Sequence, residues 1–170
     1  MQKALFLAIQ AHIVEQNIGI EHIDWFNNQY AESDPGNRQE GDFAYPAVFI
    51  EFQPFQTQSL ASGKVQKADV TFRLHLVTTN YAHSRYGVPE QDEALEHLDK
   101  ASQLYVAFQR WSQKDEQGRQ VLNTCHRTNV IPDHNQTNQV VNIQDFRTVA
   151  FDFAAVPVRQ TVGPSLSLQQ

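Results

Sequence analysis

The stretch from Val65 to Thr79 constrains this chain more than any other. Ala68, Val70, Phe72, Leu74 and Leu76 alternate with Lys67, Asp69, Thr71, Arg73 and His75. A period of two is that of a strand with one face on a core and the other face turned elsewhere. At about 3.3 Å per residue it would extend roughly 45–50 Å, so it is expected to bend, bulge or project. Such a strand commits the fold to a sheet, and only its apolar side has an evident occupant.

The occupants are two helices. Leu5, Phe6, Ala8, Ile9, Ile13 and Val14 recur at three- and four-residue spacing, which predicts a helix over 2–16 ended by Asn17 and Gly19. Pro89 opens a second helix, with Glu90, Asp92 and Glu93 where negative charge favours an N-terminus. Its apolar stripe reads Leu95, Leu98, Ala101, Tyr105, Phe108 and Ser112, widened by Ala94, Leu104 and Trp111, and Lys114 to Gly118 ends it. Strands are expected at 20–26, 45–52, 65–79, 121–130 and 140 to about 158. A polar loop at 32–42, a connection at 53–62 too long for a tight hairpin, and a turn at 132–138 separate them. The expected fold is α+β, in the order α-β-β-β-α-β-β. It is a mostly antiparallel sheet of about five strands with two helices on one face. One domain covers 1–162, and 163–170 form a flexible tail.

Composition narrows the function classes. Hydrophobic residues make up 41% of 170, 18 of them aromatic, which is enough for a core and excludes a disordered chain. Thirteen Lys+Arg against 19 Asp+Glu give a net charge of −6, unlike a surface built to neutralise phosphates. No run reaches 18 apolar residues, so no membrane-spanning helix is expected. No cleavage site follows the first apolar stretch, so no secretory signal is expected either. Cys125 is the only cysteine and has no disulfide partner in the chain. The 21 Gln and 10 Asn suit surfaces that are wet in one state and buried in another, although composition bias gives the same count.

Candidate chemistry fails at each attempt. His126 lies near Asp133 and His134 across a turn, with no third ligand at a supporting spacing, and zinc needs three or four. His22 and Asp24 share a strand face without further ligands. Glu51 is followed two residues on by Gln53, so the lysine of a hairpin metallonuclease is missing. No nucleophile elbow or phosphate-cradling glycine cluster is present. Cys125 reads as a small buried hydrophobe. Lys64, Lys67, Arg73 and Arg85 lack the interleaved aromatics that stack bases. The reading is a non-enzyme with no cofactor and no metal. What remains is the second sheet face, which has no helix from this chain to cover it. Copies of the chain are the economical cover, and head-to-tail contacts close into rings.

Several segments resemble the tail-terminator (tail-completion) proteins of tailed bacteriophages. They are Phe43 to Phe52, Ala68 to Val77, the helix that follows, Cys125-His-Arg-Thr128, Asp133-His134, Asn142-Ile143, Phe146 and Asp152, covering about 43–155. The resemblance implies a homohexameric ring that caps the tail tube and joins it to the head or neck. Its partners would be its own copies, the tube protein and a head-completion protein. It would be assembled in the host cytoplasm and carried in the virion. It implies no enzyme activity, and DNA would pass through without being recognised. On this reading Lys67, Asp69, Arg73, His75 and Arg127 meet a neighbouring subunit or line the ring. The alternatives are another head–tail connector, a tail-tube subunit, or a monomeric cytoplasmic domain that binds a ligand under the bare sheet face.

Overall fold

Two long strands organise the molecule, and each is flanked by a broken one. The computed structural model describes residues 1–30, 43–79, 84–133 and 139–157, with Ser62 by its backbone only. The element order is α1 (Gln2–Gln16), β1 (His22–Trp25), β2 (Ala47–Phe52), β3 (Thr57–Leu60), β4 (Val65–Thr78), α2 (Gln91–Phe108), β5 (Gln113–Lys114), β6 (Gln120–Leu122), β7 (His126–Asp133) and β8 (Val140–Asp152). The long strands β4 and β8 run antiparallel from Gln66 opposite Asp152 to Thr78 opposite Val140. Both β2 and β3 pair with β4, and both β6 and β7 pair with β8. Beyond them β1 lies parallel to β2, and β5 antiparallel to β6. The whole is a mixed sheet of eight strands curled into a half-barrel.

The α+β class, the two helices and the mostly antiparallel pairing match the expectation; the count of five strands does not, and β1 joins β2 in parallel. The difference lies in the broken strands. The 53–62 connection contains β3, because Pro54 and Phe55 interrupt pairing only briefly. Gln53 still donates to the Thr71 carbonyl at 3.0 Å, and the ladder resumes at Thr57 opposite Ala68. The expected single strand 121–130 splits at 123–125. There the Cys125 N–H donates to the Trp111 carbonyl at 2.7 Å and the side chain turns into the core. The final strand stops at Asp152 rather than near 158. The proposed tail 163–170, the loop 32–42 and the end of the 132–138 turn lie outside the described residues.

α1 occupies its expected range, and Asn17 closes it in the left-handed region at φ 49°. Gly19 also has a positive φ, and a Cβ there would stand 2.8 Å from Lys100 Nζ, which donates to the Ile18 carbonyl. α2 ends at Phe108, one turn before the expected stop. The Arg110 N–H leaves the helix to bond the Cys125 carbonyl at 2.8 Å. Its buried face is Ala94, Ala101, Leu104 and Phe108, whereas Leu98 is half exposed. All four belong to the stripe read from the sequence, Ala94 and Leu104 on its widened edge, and it is towards that edge that the helix packs.

One core lies between helices and sheet. Leu5, Ile9 and Ile13 of α1 and Ala101, Leu104 and Phe108 of α2 pack on Val48, Ile50, Val70, Phe72, Leu74, Leu76 and Phe146. The alternation read from Ala68 to Leu76 is therefore the helix-facing side of β4. His12 joins the helices: its Nε2 donates to the Ala107 carbonyl at 2.8 Å and its ring stacks on Trp111 at 4.4 Å. Among the described residues no helix is long and apolar enough to cross a membrane.

The other sheet face was expected to be bare throughout, and it is not. A second cluster forms where Phe26, Tyr30, Phe43 and Tyr45 cover Ala47, Phe49, Val77 and Val141. The expectation failed because these aromatics lie at the borders of segments read as strand end and loop. The half of the face from Arg73 towards Lys67 carries no such cover among the described residues.

Candidate functional site

The helix-free face divides into a sealed half and an open half, and a polar ladder marks the boundary. Strand alternation and register put Glu51 of β2, Arg73 of β4 and Asp145 of β8 side by side. Arg73 grips Asp145 in a fork, Nε to Oδ1 at 2.7 Å and a terminal nitrogen to Oδ2 at 3.3 Å, and reaches Glu51 at 3.5 Å. The hydrogen bond to Asp145 holds the guanidinium pKa above its ordinary value. Asp145 is nearly buried, and Arg73 is the counter-charge that offsets its desolvation.

His75 extends the ladder into the sealed half. Its Nε2 donates to Glu51 at 3.0 Å, which leaves Nδ1 to accept from the Tyr30 hydroxyl. Phe26 stacks on the imidazole at 4.0 Å and 12°. Burial pushes the His75 pKa down, against the pull of Glu51. Burial also raises the Tyr30 pKa, helped by the negative charges of Asp133 and Glu51. The result is a neutral imidazole latching 26–30 onto the sheet.

This latch gives a pH dependence with a definite sign. An unfolded His75 takes up a proton near pH 6.5, whereas the folded one resists it. Its contribution to stability is whole above that pH and is lost as the pH falls towards the lower folded value. Urea midpoints at pH 7.5 and pH 5 should therefore fall further in the wild type than in His75→Gln. An equal fall in both proteins would contradict the assignment.

The open half carries the remaining candidates. Asp69 and Arg147 form an exposed pair at 3.7 Å, a contact of the kind that contributes little to folding. With His126, Thr128 and Val149 they line a shallow depression of about 400 Å³. Lys67 stands beside them, opposite Phe151 of β8. Arg127 is elsewhere. The register shift between Arg127 and Asn129 turns it to the helix side, where its guanidinium lies 3.8 Å from the centre of the Tyr105 ring and bonds Gln144 at 3.2 Å. The five residues singled out in the sequence thus fall into three settings. Arg73 and His75 are engaged internally, Lys67 and Asp69 lie on the open half, and Arg127 lies under α2.

Sequence reasoning weighed Glu51 only as a metal ligand and missed Asp145, Arg147 and Tyr30. Charged residues at alternate positions of apolar strands were the available signal, but their pairing needs the register. Among the described residues no group of three or more His, Cys, Asp or Glu could hold a metal ion. Cys125 is fully buried and its thiol is pushed up to about 12 by burial. It should resist a thiol reagent in the native state at pH 8 and react fully in denaturant; rapid native labelling would show an exposed or activated thiol.

Comparison with models of known protein families finds no match for this chain, and comparison with curated proteins finds none either.

Proposed function

We propose that this chain is a ring-forming structural subunit, a phage tail terminator that caps a tail tube and joins it to the head or neck. The observation that carries the reading is the open half of the helix-free face. It is a strip of sheet bearing Lys67, Asp69, Thr71 and Arg147 with no cover among the described residues. Its mixed charges suit contact with a differently charged patch on a neighbouring copy. A head-to-tail contact of that kind closes into a ring when the rotation per subunit allows it. The net charge of −6 suits a passage that repels DNA instead of gripping it. The resemblance over 43–155 supplies the expected copy number of six, and with it the tube and neck proteins as partners and the virion as location. On this reading the subunit needs no catalytic residue or cofactor.

Electron microscopy with light scattering on the concentrated protein tests this. Closed rings of six times the 19.4 kDa chain mass are expected. Long tubes would assign the chain to the tube itself, and a lasting monomer at high concentration would contradict self-assembly as the function of this face.

A further inference from the structure

Edge strands invite pairing with other chains, and folded proteins normally guard them with proline, charge, bulges or brevity. Among the described residues, four strands of this sheet have a neighbour on one side only: β1, β3, β5 and β7. Three are guarded. β5 has two residues. β1 carries the exposed carboxylate of Asp24, which also takes the Trp25 N–H at 2.7 Å. β7 is the longest and the most thoroughly blocked. Its register against β8 points the backbone groups of Val130 and Pro132 outward. Pro132 has no N–H, the Val130 N–H is held by Asn129 Oδ1 at 3.0 Å, and a register shift follows Arg127.

β3 is twice the length of β5 and is the least guarded of the four. Thr57-Gln58-Ser59-Leu60 has no proline, charge or bulge, and all four residues are exposed. The outward groups can be assigned. Gln53 donates to Thr71, so the odd residues of the unbroken β4 bond towards β2 and β3. Gln58 and Leu60, opposite Lys67 and Val65, therefore bond inward, and Thr57 and Ser59 present their N–H and C=O groups outward.

We propose that β3 is an interaction edge and that it pairs antiparallel with β3 of a second copy across a two-fold axis. The segment is self-complementary. With Gln58 on the axis, Thr57 of each copy faces Ser59 of the other, which satisfies four backbone donors and four acceptors. The two Gln58 amides, each donor and acceptor, meet at the axis. No like charges come together, and the two sheets become one. This two-fold contact is separate from the head-to-tail contact proposed for the ring and does not depend on it.

Sedimentation equilibrium of the full chain from micromolar to millimolar concentration tests the pairing. The wild type should show concentration-dependent doubling, and Ser59→Pro, which removes an outward N–H and no ladder bond, should weaken it at least tenfold. Gln58→Glu and Gln58→Lys should each weaken it alone, while their equimolar mixture should restore association. That restoration excludes misfolding as the cause. A wild type that never doubles overturns the proposal, as does doubling unchanged in Ser59→Pro or a mixture no better than its components. Rings that form equally well in wild type and Ser59→Pro, without doubling, would overturn this edge and leave the ring reading intact.

Discussion

Phe146→Ala is expected to lower the unfolding free energy by about 3–5 kcal/mol. Phe146 is fully buried where β8 meets β4 and α2. Its ring stacks on Phe72 at 5.5 Å and 16° and tilts against Phe108 at 5.4 Å. Two long hydrogen-bonded strands hold its backbone, so the site cannot collapse to fill the space and the cavity cost stays near its full value. Domains of this size are stable by roughly 5–15 kcal/mol, so the variant should approach the limit of folding at 37 °C. Leu98→Ala on half-exposed α2 surface should change stability by less than about 1 kcal/mol. Urea unfolding followed by circular dichroism measures both. Equal losses would mean that Leu98 packs in the core.

The second large effect is expected at the ladder. Arg73→Met leaves the Asp145 carboxylate nearly buried without its fork and removes the bridge to Glu51. Breaking a buried pair costs about 3–5 kcal/mol; the Arg73 side chain is one-quarter exposed, so about 2–3 kcal/mol is expected. Arg73→Met combined with Asp145→Leu should recover most of that loss, because no orphaned charge remains. If the double variant is as unstable as the sum of the two single ones, the ladder is not a charge pair in the energetic sense.

These two sites show what the sequence revealed and what it concealed. Phe72 could be placed in the core from alternation alone, since Ala68 to Leu76 admit only one buried side. α1 was equally legible from its spacing and from Asn17. The partners of β4 were not, because pairing depends on register, and register is set by turns and interruptions that alternation does not encode. Pro54 looked like the end of a strand and proved to be a short interruption before β3. The three-residue break at 123–125 hid inside a segment that reads as one strand. Arg127 changed faces through a single register shift. The cover over Phe49 and Val77 was the largest omission, since Phe26, Tyr30, Phe43 and Tyr45 act together only once the chain is folded. Its consequence is specific: the surface free for a neighbour is half of what the pattern implied, and His75 belongs to the sealed part.

The most direct test compares the assembled mass of the wild type with that of Asp69→Arg. Asp69 is exposed and its pair with Arg147 is long, so the folded monomer should keep its melting temperature. The wild type should assemble into rings of six, and the variant should form no ring and go no further than the β3-paired dimer. A variant that assembles as readily as the wild type would contradict the claim that the open half of this face joins the subunits.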